Sequence, residues 1–103
     1  MQNDKTIAKH FAALSHPRRA MLFRLLAVRP ELGASQKTLL AATSIPYASF
    51  AHHMKRLQSA GLIRARHRKG QVSYDISPDE FAEALRTALR LSERLPGPRR
   101  VAA

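Results

Sequence analysis

Ile7, Phe11 and Leu14 recur at helical spacing between Asp4 and Leu14, which predicts a first amphipathic helix. The next segment, Pro17 to Val28, is apolar on nearly every side (Ala20, Met21, Leu22, Phe23, Leu25 and Leu26), as expected of a helix at the centre of a small core. His16-Pro17 opens it, because a proline at the first helical position gives up only an N–H that has no helical partner. Arg29-Pro30 ends it, and Glu31 to Ala34 reads as loop. Ser35 is a good N-cap for a short third helix, Gln36 to Thr43, with Leu39 and Leu40 inward. Beyond the turn Ser44-Ile45-Pro46, a fourth helix runs to about Ala60. Phe50, His53, Met54 and Leu57 form its inner stripe, and Gly61 is placed to end it in a left-handed conformation.

The period then changes. Leu62 to His67 and Gln71 to Ile76 alternate in character around the tip Arg68-Lys69-Gly70, which predicts a β-hairpin with Val72, Tyr74 and Ile76 on one face. Ser77-Pro78-Asp79-Glu80 combines an N-cap serine, a first-position proline and a capping-box glutamate, so a last helix starts there. It carries Phe81, Leu85, Ala88, Leu89 and Leu95, and Pro96-Gly97-Pro98 stops it. The expected fold is mainly α with a small β-hairpin. A short helix, a turn, a basic helix and a hairpin make a winged helix-turn-helix, a shape that places one helix in the DNA major groove. Residues 1–95 would form one DNA-binding and dimerisation domain, and 96–103 a basic, disordered tail.

Charge sharpens this picture. The 103 residues carry 18 Lys+Arg against 7 Asp+Glu, a formal charge of +11. Such an excess favours a polyanion, because each neutralised phosphate releases condensed counterions. No apolar run approaches the roughly 20 residues that span a bilayer, and the first residues lack a secretory pattern, so a cytoplasmic protein without a membrane partner is expected. There is no cysteine. Disulfides, thiolate metal sites and thiol redox sensing are thereby excluded.

The candidate chemistry lies on the outer face of the fourth helix. Tyr47, Ala48, Ser49 and His52 stand near its N-terminus, with Arg56 further along. Ser49 and His52 can hydrogen-bond base edges or phosphate, and Ala48 suits a thymine methyl. Arg68 and Lys69 at the hairpin tip suit the minor groove or its flanking phosphates, and the hairpin's crowding of Arg64, Arg66, Arg68 and Lys69 calls for an anionic partner. Ser35 and Arg19, at the starts of two other helices, complete the DNA-contact candidates. Arg18 and Arg19 oppose a helix macrodipole, so a phosphate or the carboxylate of Glu31 or Asp4 should offset them. His53 falls on the inner stripe, where a buried, hydrogen-bonded structural role is expected. Arg86, Arg90 and Arg94 form a solvated stripe partly paired with Glu83 and Glu93.

The five histidines show no ligand spacing, and the adjacent His52-His53 point about 100° apart on a helix. No metal and no cofactor is expected. Neither is catalysis, because paired carboxylates, a Gly-rich phosphate loop and a nucleophile-base set are all missing from the sequence.

His16-Pro17-Arg18-Arg19, Phe23-Arg24-Leu25-Leu26, Ser49 to Leu57, Ala60-Gly61-Leu62-Ile63 and Gly70-Gln71-Val72-Ser73-Tyr74 together resemble the ArsR/SmtB-type winged-helix repressors. The resemblance covers roughly residues 7 to 95. It implies a homodimer, with Ile7, Phe11, Leu14, Leu85, Leu89 and Leu95 at the subunit interface, and a transcriptional repressor reading a pseudo-palindromic operator in double-stranded DNA. It also implies an inducer. Ser35 and Lys37 stand where thiolate-sensing members carry cysteines, and the last helix holds no histidine. Two alternatives to metal sensing are then open: an unidentified small molecule held in an apolar pocket between the first and last helices, or a constitutive or self-limiting repressor that acts without any ligand. A winged-helix module that binds a protein or RNA is the competing reading, since fold alone does not set the partner.

Overall fold

The computed structural model describes residues 4–94, 96 and 97, with the side chains of residues 78–80, 84, 88, 91 and 92 outside that description. In chain order the elements are α1 (Asp4–Ala13), α2 (Pro17–Ala27), β1 (Ala34–Ser35), α3 (Gln36–Thr43), α4 (Tyr47–Ser59), β2 (Ile63–Arg68), β3 (Gln71–Ile76) and α5 (Pro78–Ser92). Five helices and the hairpin stand where the hydrophobic periods predict them. The fold is mainly α with a small sheet, a winged helix-turn-helix.

The local reasons are visible at the ends of the elements. The His16 ring nitrogen Nδ1 accepts from the Arg18 N–H at 3.2 Å and Pro17 follows at the first position, so α2 starts as expected. Ser35 caps α3 through a 3.0 Å bond from the Thr38 N–H to its Oγ. Ser44, at φ 55°, turns the chain from α3 into α4. Lys69 and Gly70 both have positive φ, at 51° and 74°, and join Arg68 to its strand partner Gln71. Two left-handed residues in a two-residue loop are the type I′ turn, whose twist suits antiparallel strands.

The core collects Leu22 and Leu26 from α2, Leu39 from α3, Phe50, Met54 and Leu57 from α4, and Leu62, Ile63, Tyr74 and Phe81 beyond. Leu22, Phe50, Met54 and Leu57 are completely buried. α2 and α4 pack on each other and on the hairpin, which holds the outer face of α4 rigidly toward solvent. α1 packs on α5. There Phe81 takes edge contacts from the His10, Phe11 and Phe23 rings at 5.5, 6.4 and 5.2 Å.

Two expectations change. The segment Glu31 to Ala34 is not all loop, because Ala34 and Ser35 form a strand that pairs antiparallel with β3 (Ala34 with Tyr74, Ser35 with Ser73), giving the sheet order β1-β3-β2. Gly33 allows it: its φ is +66°, and a Cβ there would collide with the Tyr74 carbonyl oxygen. The last helix ends at Ser92 rather than running to Pro96. A proline ring clashes with the carbonyl four residues back, and for Pro96 that residue is Ser92. Leu95, the capping-box side chain of Glu80, and residues 98–103 of the expected tail lie outside the described residues and side chains. His10 is completely buried; it shares the stripe of Ile7 and Leu14 at helical spacing, a signal present in the sequence.

Candidate nucleic-acid interface

α4 is amphipathic by construction. Phe50, His53, Met54 and Leu57 are buried, and at 100° per residue the opposite arc holds Ala48, His52, Lys55 and Ser59, flanked by Ser49 and Arg56. Ala48, His52, Lys55, Arg56 and Ser59 are exposed, Ser49 is half-buried, and Tyr47 leaves 61% of its surface open at the first turn. Lys55 was not among the residues singled out from the sequence, although its position on this arc was calculable. Pro46 supplies the N-cap of α4, no side chain caps its first turn, and no acid lies there. The positive end of the helix dipole therefore opens to solvent beside Tyr47 and Ala48, an electrostatic preference for an approaching anion.

His53 lies inside as expected, with 6% of its surface exposed. Its ring sits 4.6 Å from that of His16 and 5.8 Å from that of His52. The expected hydrogen bonding is not complete, since Nδ1 has no partner among the described residues. Burial, and after it the charges of His16, Arg19, His52 and Arg18, lower its pKa. The neutral ring is thus the form that packs between α2 and α4.

The wing is less crowded with unpaired charge than the sequence implies. Asp75 accepts from Arg64 Nε at 3.1 Å and from Arg66 Nε at 2.9 Å, across the β2–β3 register. Arg64 and Arg66 thus have an internal carboxylate. Arg68 and Lys69, at the tip, have no ion-pair partner among the described residues. They are the hairpin cations left for an external anion.

β1 brings the start of α3 beside this tip. Two clefts of about 260 and 270 Å³ run between them, one against Ser35, Arg68 and Lys69, the other against Ser35, Lys37 and Gly70. Ser35 itself is engaged locally, donating to Thr38 Oγ1 at 2.8 Å while capping α3. Tyr74 ties the wing to α3 through a 3.3 Å bond from its hydroxyl to Gln36 Oε1 and to α4 through a ring contact with Phe50 at 6.1 Å. Its burial, with Tyr47 as the second cause, raises its pKa. Helices α3 and α4 and the wing are accordingly tied to one another.

Of the two carboxylates expected to offset Arg19, neither Glu31 nor Asp4 pairs with it among the described residues; its Nε donates to the Ala13 carbonyl at 2.7 Å. Ala13 ends α1, where the helix dipole is negative. Among the apolar candidates for a subunit interface, Phe11, Leu85 and Leu89 are 45%, 46% and 62% exposed. Ile7 is half-buried, while Leu14 packs against the chain's own core. Arg86 pairs with Glu83 at 3.3 Å, as the helical spacing predicts. Among the described residues no three metal-ligating side chains converge, and no helix is long and apolar enough to cross a membrane.

Neither a protein-family model nor a curated protein matches the sequence. Solved structures do match. An ArsR family transcriptional regulator superposes with a TM-score of 0.73 at 22% identity, over 92% of this chain and 98% of that one. An ArsR-like transcriptional regulator from Rhodococcus sp. RHA1 gives 0.72 at 24% identity, over 86% and 81%. A third, from Mycobacterium bovis, is a homodimeric winged helix-turn-helix DNA-binding domain and a possible ArsR-family regulator; it gives 0.67 at 21% identity, over 89% and 88%. The chain has the winged-helix fold of these ArsR-type proteins.

Proposed function

We propose that this chain is a sequence-specific, homodimeric DNA-binding transcriptional regulator that acts as a repressor. The observation that carries the reading is the outer face of α4. A helix locked to the core by four buried residues presents Tyr47, Ala48, Ser49 and His52 over its first two turns, behind an uncapped, acid-free N-terminus, with Arg56 on the same side in its last turn. In helix-turn-helix docking that end meets base edges. Arg68 and Lys69 on the wing, with Ser35 and Lys37 beside them, would flank it on the phosphates. Arg19, held by α1, would contribute charge rather than a base contact.

Dimerisation is supported by the apolar surface that α1 and α5 leave open at Phe11, Leu85 and Leu89. A two-fold partner buries the same patch on both copies, and two reading helices then face two half-sites. The similar Mycobacterium bovis domain is homodimeric, which favours this arrangement. Selection of bound duplexes from a random DNA pool by the purified protein should return an inverted repeat. A pool that stays random after repeated rounds, with binding that salt alone governs, would reject sequence-specific regulation in favour of a non-specific or protein-directed role.

A further inference from the structure

The last turn of α1, the first turn of α2 and the last turn of α4 enclose an open cavity of about 200 Å³, lined by Lys9 and Ala13, by Arg19, and by Arg56, Ser59 and Ala60. Three cations face it and no carboxylate lines it. Among the described residues none of the three makes an ion pair. Arg19 is anchored through Nε on the Ala13 carbonyl, so its terminal guanidinium nitrogens are held in place without an internal acceptor among the described residues.

The helix ends that open here offset only part of this charge. α1 and α4 both present C-termini, each equivalent to roughly −0.5 of a charge. The N-terminus of α2 adds roughly +0.5, so about −0.5 in total stands against three cations, leaving an excess of roughly 2.5 positive charges. We propose that this cavity binds a small dianion of the phosphate-monoester class. The guanidinium of Arg19 and that of Arg56 supply paired donors suited to its oxygens, Lys9 supplies a point charge, and Ser59 a hydroxyl. A DNA phosphodiester carries one negative charge per phosphate and matches the excess less well. Arg19 and Arg56 also belong to the proposed DNA-contact set, so binding is tested without DNA.

The test uses the full chain without DNA at mildly alkaline pH, where inorganic phosphate is doubly charged. Amide resonances are followed in two dimensions while inorganic phosphate replaces chloride at constant ionic strength, and again with dimethyl phosphate, a singly charged diester. Saturable shifts at Arg19, Ser59 and Ala60 are expected with phosphate, and binding about tenfold weaker with dimethyl phosphate. Lys9→Gln, an exposed position on α1, should weaken phosphate about tenfold with an otherwise unchanged spectrum. Ser59→Ala should weaken it less. Shifts that chloride or the diester reproduces, or a Lys9→Gln variant that binds phosphate like the parent, would overturn the proposal. A random duplex that moves these amides while free phosphate leaves them still would also overturn it and assign the cavity to the DNA backbone.

Discussion

Two histidines one position apart on α4 have opposite fates. His52 is exposed on the outer arc and His53 is buried against His16, so their substitution separates recognition from stability. Ser49→Ala or His52→Ala should cost about 1–3 kcal/mol on the selected site and little on random DNA, because a lost base-edge contact is sequence-dependent. Competition between specific and scrambled duplexes measures this, and equal binding of both by the variants would remove these residues from the reading head. His53 instead governs pH dependence. Its folded pKa lies below the ordinary 6.5, so below about pH 6.5 the unfolded chain takes up a proton that the folded chain resists. Stability should be full above that pH and fall as pH drops toward the lowered value. Thermal midpoints should decline with acid in the parent and less steeply in His53→Leu; identical slopes would show that His53 does not carry the effect.

At the scale of elements, the sheet makes its own distinctions. Gly33 and Gly61 both have positive φ, but only at Gly33 would a Cβ strike another strand. Gly61→Ala should therefore cost about 1 kcal/mol, the ordinary left-handed penalty, and Gly33→Ala clearly more, with β1 displaced from β3. Denaturant midpoints compare the two directly. The wing divides in a similar way. Arg68→Ala with Lys69→Ala should weaken specific and random duplexes alike and reduce the slope of log affinity against log salt by about 1.8, two phosphates at roughly 0.9 each. Arg64→Ala with Arg66→Ala should change the slope less, since Asp75 already neutralises part of that pair. Equal effects of the two double variants would mean that Asp75 does not shield its partners.

For the molecule as a whole, the decisive quantity is the fate of the apolar face on α1 and α5. Phe11 on α1 and Leu85 and Leu89 on α5 are exposed, apolar area of the kind that marks an interaction surface where it is contiguous. Light scattering at micromolar concentration should report two chains. Leu89→Glu, at a position 62% exposed in the single chain, should shift it to one chain while leaving the circular dichroism of the fold intact. A Leu89→Glu protein that remains dimeric would place the subunit contact elsewhere. A monomeric parent would dismiss the two-fold arrangement and, with it, recognition of an inverted repeat.

Local interactions are written in the order of residues, and that is the part of this protein its sequence determined. The caps at His16 and Ser35, the buried stripe from Phe50 to Leu57, the I′ turn at Lys69-Gly70 and the exposed arc of α4 each depend on neighbours within a few positions. Helical period and turn chemistry report such neighbours. Tertiary structure decided what depends on distant ones. Ser35 meets Ser73 across 38 positions, so a two-residue strand without a period of its own reads as loop. Asp75 selects which wing arginines remain available, although all of them look alike in the sequence. Arg19 is claimed by the end of α1, and the cavity it shares with Lys9 and Arg56 exists only because three helix ends converge. Charge can be counted along a chain, but its compensation is set by packing, which alone brings one residue within hydrogen-bond reach of another far along the sequence.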